Sequence, residues 1–167
     1  MENDYRKKNY AVHGPGKGSQ FDSRGDFNLK ATEDAFIDKK VRQKSIEGWV
    51  LNGITKETVE FANAFGEFVA GNELTTSQIR TSFGEMRRIQ MNSFLKQKTD
   101  FLLLKPKLAY AVKRHNKIGL KKFYEFFSIA YDVVNTTDLA IGEKHFENLM
   151  NLMEAVLAYH KYYGGKE

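Results

Sequence analysis

The 167-residue sequence contains no cysteine, and it has only two prolines and one tryptophan. Without thiols the chain can form neither disulfides nor thiolate metal sites, and it cannot use thiol catalysis. An absence of disulfides fits a reducing compartment, and we expect the protein to be cytoplasmic. No apolar run approaches the ~18–20 residues of a membrane-spanning helix, and the polar N-terminus is unlike a signal peptide, so we expect no membrane association.

Residues suited to catalysis or metal binding are also few. The four histidines lack the spacing of metal ligands. His160 lies on the apolar stripe of the last predicted helix, which favours a satisfied core residue over a ligand. Glu154, six residues earlier, points to a different helix face, so the two do not form a catalytic dyad. The sequence therefore predicts no catalytic residue, no metal and no cofactor, and a protein that is not an enzyme.

The apolar residues follow a helical period from Thr32 onward. A hydrophobic content of 41% is ordinary for a globular domain. We therefore predict an all-α fold, in which residues 31–167 form a single compact bundle of about five to six helices. Residues 1–30 contain four glycines among polar residues and are predicted to be a flexible glycine-rich tail.

Capping residues and helix breakers set the predicted helix boundaries. The predicted helices cover residues 32–48, 56–70, 76–94, 106–115, 118–134 and 139–163. Thr55 caps the second helix, with Gly71 at the C′ position after it. Thr75 and Gln78 have the spacing of a capping box that opens the third. Pro106 is predicted to be the first residue of the fourth, because proline fits the first helical turn.

The last predicted helix has an unusually wide apolar surface. Phe146, Met150 and Leu157 form one stripe, while Ile141 and Leu152 lie on a neighbouring arc. Such a helix is either central to its own bundle or packs its second arc against another chain. The sequence leaves both arrangements open.

Positive charge is concentrated in the middle of the chain. The net charge is +5, yet residues 75–122 contain twelve Lys and Arg against two Asp and Glu, a net charge of +10. This asymmetry favours a polyanion-binding face over a merely solvated surface. Because no zinc-finger, RNP or helix-turn-helix pattern is present, we expect salt-sensitive, sequence-independent binding of nucleic acid.

Helical geometry suggests which residues form the basic face. Arg80, Arg87 and Lys98 fall within about 20° of one another, provided that the third helix extends that far. On the fourth helix a tyrosine lies among cations on one broad face, which consists of Lys107, Tyr110, Lys113, Arg114 and Lys117. Such a face can neutralise phosphates and offer a stacking surface. Gly84 lies in the middle of a predicted helix, where glycine is unfavourable, so it suggests that another chain segment approaches closely. Packing of another helix is the simpler explanation, and approach of a ligand backbone is the alternative.

Three stretches of the sequence resemble a known family. They are residues 74–80 (LTTSQIR), 103–114 (LLKPKLAYAVKR) and 153–166 (MEAVLAYHKYYGGK). In this order they resemble the small subunit of the type III-A CRISPR effector, the Csm complex, over about residues 70–167 and loosely over 31–70. The resemblance implies a non-catalytic helical subunit whose copies form an inner filament along the guide RNA–target RNA duplex.

The resemblance also implies RNA contacts at Arg80 and Arg114, which close the first and second motifs. Helical geometry and charge add six further candidates: Arg87, Lys96, Lys98, Lys105, Lys107 and Lys113. The implied partners are guide RNA, target RNA, copies of the subunit itself, and the backbone and large subunits of the complex. One alternative stays open on the sequence, namely a helical protein–protein adaptor whose basic face binds an acidic partner.

Overall fold

A computed structural model describes the backbone of residues 41–166 and the side chains of residues 43–166. Within these residues there are six α-helices and no β-strand, which confirms the all-α prediction. The helices are α1 (Val41–Asn52), α2 (Lys56–Gly71), α3 (Thr76–Met91), α4 (Lys98–His115), α5 (Ile118–Asp132) and α6 (Leu139–Tyr162). The predicted tail at residues 1–30 and the predicted start of the first helix at residue 32 lie outside the described residues.

Helix α6 lies at the centre of the bundle. It packs against α1, α2 and α3. Phe146 and Met150 from its first stripe are buried, and Leu152 from the second arc is also fully buried. The helix is therefore central to its own bundle, but Ile141 on the second arc is 46% exposed, so packing of that arc against another chain stays a prediction.

Two aromatic clusters fill the core and join distant helices. The first links α1, α2 and α5 through Trp49, Phe61, Phe65 and Phe126. The second links the α3–α4 connection to α4, α5 and α6 through Phe94, Phe101, Tyr131 and Phe146. Aromatic pairs at such separations add about 0.5–1.5 kcal/mol each beyond the burial of their area. The second cluster ties α4 and the α3–α4 connection to α6.

Both predicted N-terminal caps are present. The Thr55 hydroxyl accepts the backbone N–H of Thr58 at 3.3 Å, at the start of α2. At the start of α3, the Thr75 hydroxyl accepts the N–H of Gln78 at 3.2 Å, and the Gln78 side chain accepts the N–H of Thr75 at 3.0 Å. Each reciprocal pair satisfies backbone donors that have no partner inside the helix.

The predicted C′ position of Gly71 is wrong, because α2 ends differently. Gly71 is the last residue of the helix, and Asn72 closes it with its side-chain amide on the carbonyl of Phe68 at 2.8 Å. The left-handed residue is Glu73, with φ +64°. The N–H of Leu74 then reaches the carbonyl of Val69 at 3.1 Å, which is the bond of a Schellman motif.

The predicted start of the fourth helix at Pro106 is also wrong. Helix α4 begins at Lys98 and contains Pro106 in its interior. Proline has no N–H, so the carbonyl of Leu102, four residues earlier, loses its helical partner. The hydroxyl of Tyr131 on α5 donates to that carbonyl at 3.2 Å instead. A bond from a neighbouring helix thus replaces the one that proline removes.

We expect Tyr131→Phe to lower the free energy of unfolding by about 1 kcal/mol, because it leaves the carbonyl of Leu102 without a protein donor. Urea denaturation of the full chain would measure this loss. Tyr124→Phe is the matched control, since Tyr124 lies on the same helix and its hydroxyl has no hydrogen bond within the described residues. Equal effects of the two changes would argue against a specific role of the Tyr131 hydroxyl.

Candidate nucleic-acid interface

The first and third sequence motifs meet at the N-terminus of α3. The N–H of Thr76 donates to the carbonyl of Lys166 at 2.6 Å, and its hydroxyl donates to the carbonyl of Gly165 at 3.0 Å. Just before the Thr75 cap, the carbonyl of Leu74 lies 2.7 Å from Nε2 of His160. These bonds fix the start of α3, the helix that carries Arg80 and Arg87.

His160 is a core residue, as predicted. It is fully buried, and because a carbonyl can only accept, its Nε2 must carry the proton that is donated to Leu74. Gly165 lies directly against the ring, where any Cβ would collide with it. Burial lowers the pKa of His160 below the ordinary value, so the ring is neutral at pH 7.

This burial predicts a loss of stability in acid. Below a pH of about 6.5 the unfolded chain protonates His160 while the folded chain resists it, so the free energy of unfolding falls as the pH falls. We expect the loss between about pH 7 and about pH 5 to be smaller in His160→Gln than in the wild type. Thermal unfolding across that range would measure it, with the exposed His115→Gln as control. Parallel curves for all three proteins would contradict the prediction.

A cleft of about 350 Å³ separates α3 from α4. Its floor is apolar and consists of Leu104, Leu108 and Phe127. Its walls and rim are polar and include Gln78 and Ser82 on α3, and Lys107, Tyr110 and Arg114 on α4. The ring of Tyr110 is 69% exposed, which places it at the rim. The cleft therefore combines a stacking surface with cations and hydrogen-bonding groups.

One carboxylate, Glu85, also lines this cleft. Lys107 lies 3.1 Å from it across the cleft, and Arg88 lies 3.4 Å from it. The hydrogen bond from Lys107, opposed by partial burial, holds the pKa of Glu85 below its usual value. The carboxylate thus stays ionised, and its two basic neighbours neutralise its charge.

The cations at the other end of α4 have no such partners. Lys113 and Arg114 are exposed and form no ion pair within the described residues. Their position in the last turn of α4 also suits the negative end of the helix dipole, which alone would account for a basic residue there. Lys121, on the first turns of α5, is a further exposed cation without an ion pair in residues 43–166, and helical geometry on α4 could not identify it.

Three other predicted RNA-binding residues are held by carboxylates of the chain itself. Lys107 pairs with Glu85, Lys105 with Asp132 at 2.7 Å, and Arg87 with Glu154 at 2.7 Å. The acidic partners of Lys105 and Arg87 come from α5 and α6. Because Asp132 and Glu154 lie outside residues 75–122, the charge count for that segment could not reveal the pairs of Lys105 and Arg87.

The predicted basic residues do not all share one face. Arg87 contacts α6, so it lies on the side of α3 away from the cleft. Arg80, seven residues earlier, lies on that same side by the helical period, and it is exposed. Lys98 does not continue this row, because α3 ends at Met91 and Lys98 begins α4. Lys96 lies in the turn between the two helices and is exposed.

Gly84 does not serve helix packing within the described residues. It is exposed, and a Cβ built on it would meet no atom within 4 Å. The interpretation of a close approach by another helix is therefore wrong for this part of the chain. Gly84 instead leaves a smooth, open surface on α3 between Arg80 and the cleft.

The described residues contain no group of three or more His, Asp or Glu side chains placed to hold a metal ion. None of their helices is long and apolar enough to cross a membrane.

Comparison with protein families decides the identity of the chain. The family model Csm2 Type III-A matches residues 54–166, which run from the residue before the Thr55 cap to the C-terminal contact with Thr76. The chain belongs to the Csm2 family. A search of curated proteins and a search of solved structures each give no significant match.

Membership of the Csm2 family confirms the predicted resemblance. The protein is a small subunit of a type III-A CRISPR system, and the family's role is structural, in assembly with the other subunits of a Csm complex. The match includes α2 to α6 with all three motifs, while α1 precedes it. The cleft and the unpaired cations are therefore features of the Csm2 part of the chain.

Proposed function

We propose that this Csm2 subunit binds guide RNA and target RNA through phosphate contacts that do not depend on base sequence. The RNA-binding residues remain the eight basic residues predicted from the sequence, which are Arg80, Arg87, Lys96, Lys98, Lys105, Lys107, Lys113 and Arg114. Copies of the subunit line up beside the backbone and large subunits, so that the strand meets the same basic residues repeatedly. The subunit positions RNA and performs no chemical step, and the complex works in the cytoplasm.

The observation that carries the proposal is the pair of unpaired cations at the end of α4. Lys113 and Arg114 are exposed beside Tyr110, which is itself largely exposed at the rim of the cleft. A cation that has no carboxylate partner gains a full electrostatic contact when a phosphate arrives. An exposed tyrosine ring next to it offers a face on which a base can stack.

The paired cations contribute less by the same reasoning. Arg87, Lys105 and Lys107 must exchange a carboxylate at 2.7–3.1 Å for a phosphate, so their net gain on RNA binding is small. Arg80, Lys96 and Lys98 have no ion pair within the described residues and should contribute more. The open surface at Gly84 lets an RNA backbone lie close to α3 on its way between Arg80 and the cleft.

The proposal is tested by titrating a short RNA duplex with the full chain at several salt concentrations. We expect the logarithm of the binding constant to fall linearly with the logarithm of the salt concentration, because bound phosphates release counterions. Duplexes of different sequence should bind alike. Binding that is insensitive to salt, or tighter binding of an acidic peptide than of RNA, would overturn the proposal and favour the adaptor alternative.

A further inference from the structure

The side of the domain where α3 packs against α6 carries exposed cations beyond the eight predicted RNA-binding residues. The two helices run antiparallel, because Arg87 on α3 pairs with Glu154 on α6 at 2.7 Å, while Thr76 at the start of α3 contacts residues that follow the end of α6. Arg80 and Lys161 each lie seven residues from the Arg87–Glu154 pair, in opposite chain directions. The antiparallel register therefore brings these two cations opposite each other.

The residues after α6 bring a third cation to the same place. The carbonyl of Gly165 accepts the hydroxyl of Thr76 at 3.0 Å, and the carbonyl of Lys166 accepts the N–H of Thr76 at 2.6 Å. Lys166 therefore lies at the start of α3, about one helical turn before Arg80. Lys166 is exposed, as are Arg80 and Lys161. Neither Arg80 nor Lys166 forms an ion pair within the described residues.

An open aromatic ring lies beside these cations. Tyr162, the last residue of α6, is 79% exposed, and its ring meets the Tyr163 ring edge to face at 5.0 Å. The Tyr163 hydroxyl donates to the Asn63 side chain at 2.7 Å, which anchors the pair of rings to α2. An exposure of 79% leaves the Tyr162 ring accessible to a planar group. Together with the three cations it forms the C-terminal corner, which consists of Arg80, Lys161, Tyr162 and Lys166.

Three cations around an open ring suit a single-stranded nucleic acid. The cations neutralise phosphates of the backbone, and a base that stacks on the ring adds affinity without a requirement for sequence. In a duplex the base faces are covered by their neighbours in the stack, so the ring has no base to receive. An acidic peptide could use the cations of the C-terminal corner, but it has no flat group for Tyr162.

We propose that the C-terminal corner is a second nucleic-acid site, which binds a single strand, while the exposed cations at the end of α4 bind the duplex. This inference rests on the proposed RNA-binding function and deepens it. The two sites lie on opposite sides of α3, because the C-terminal corner adjoins α6, whereas Arg114 lines the cleft between α3 and α4. One subunit can thus hold a duplex and a single strand next to each other.

The test measures how the full chain binds a single strand of about 12 nucleotides, within the site sizes known for single-strand binding, and a paired RNA duplex of the same length. Lys161→Ala/Tyr162→Ala should weaken binding of the single strand by at least about fivefold, the lower end for loss of one stacked base. Affinity for the duplex should not change. Loss of the Lys161 charge should also flatten the salt slope for the single strand by about 0.7. Fluorescence anisotropy of labelled strands measures each quantity.

Matched variants and probes localise the effect and define the ligand. Lys144→Ala removes the same charge from an exposed position near the other end of α6, so it should bind both ligands like the wild type. Tyr162→Phe should keep the affinity that Tyr162→Ala loses, because the ring face and not the hydroxyl contacts the base. Oligouridine RNA and oligothymidine DNA should bind within about threefold of each other, since both offer phosphates and base faces.

The outcomes separate this inference from the function on which it rests. Equal weakening of single strand and duplex by Lys161→Ala/Tyr162→Ala would mean that one surface binds both, and it would overturn the second site while RNA binding stands. Single-strand binding that survives this change, or that falls equally in Lys144→Ala, also contradicts the inference. So does an acidic peptide of equal charge that displaces the labelled strand as well as unlabelled strand does. If neither RNA binds, both proposals fail.

Discussion

Replacing Lys113 and Arg114 together with alanine should weaken RNA binding by at least about tenfold at moderate salt, because hydrogen bonds to charged groups contribute about 1.5–3 kcal/mol each. Both cations are exposed and lack an ion pair within the described residues. If each meets one phosphate, the slope of log binding constant against log salt should flatten by about 1.4–1.8 in total. A salt titration of the double variant with duplex RNA measures both quantities.

Lys105→Ala is the matched control for this experiment. It removes a positive charge from the same helix, but Lys105 is already held by Asp132 at 2.7 Å and lies 5.6 Å from the centre of the Tyr131 ring. We expect its effect on RNA affinity to be less than about threefold, as for other cations in exposed ion pairs. Arg114→Ala is measured beside it, so that two single changes are compared. Equal weakening by Lys105→Ala and Arg114→Ala would mean that net charge rather than local pairing governs the interaction.

Gly66→Ala should destabilise the fold by about 1–3 kcal/mol, the usual cost of forcing an extra carbon into a packed interior. Gly66 is buried where α2 crosses α6, and an added Cβ would lie 2.7 Å from Cβ of Tyr159 and 2.8 Å from the backbone nitrogen of His160. Neither of these atoms can move without shifting α6 itself. Urea denaturation of the full chain would measure the loss.

Gly84→Ala makes the same chemical change in the middle of another helix, with the opposite expected sign. No atom of the part of the chain that the structure describes lies within 4 Å of the added carbon, so alanine should stabilise α3 by roughly 0.5–1 kcal/mol through its better helix propensity. Comparing the free energies of unfolding of Gly66→Ala and Gly84→Ala separates the cost of a steric clash from the gain in helix propensity. A destabilised Gly84→Ala variant would show that this surface of α3 is covered by something in the folded chain.

Local signals in the sequence were enough to locate most of the helices. Each capping box, at Thr55 and at Thr75, involves two residues three positions apart in the sequence. The starts of α2 and α3 could therefore be predicted closely. The apolar period of α6 was equally clear and placed its end within one residue of Tyr162. These features depend on neighbours in the chain, which is why a single sequence reveals them.

One error arose where a distant part of the chain supplies the missing bond. Pro106 fits a helix start by local rules, but the Tyr131 hydroxyl donates to the carbonyl that it leaves free inside α4, and a single sequence carries no record of such a tertiary partner. The error at Gly71 is local, since Asn72 and the left-handed Glu73 close α2 through bonds to the carbonyls of Phe68 and Val69.

The candidate site was predictable in composition but not in arrangement. The excess of cations in residues 75–122 is visible in the sequence, whereas their division into paired and unpaired residues depends on carboxylates of α3, α5 and α6. The cleft itself needed the distance between α3 and α4, which the core beneath them sets. The signal that could have suggested it is the row of Gln78, Ser82 and Glu85, polar residues at helical spacing beside a core stripe.

The central position of α6 has a consequence for synthesis of the subunit. Helix α6 follows the other described helices in the chain, yet α1, α2 and α3 all pack against it. Until it leaves the ribosome, the apolar faces of those helices have no partner and are open to aggregation. The domain must therefore fold late, after most of the chain has emerged, and its contacts of long sequence separation should make that step slow for a helical protein.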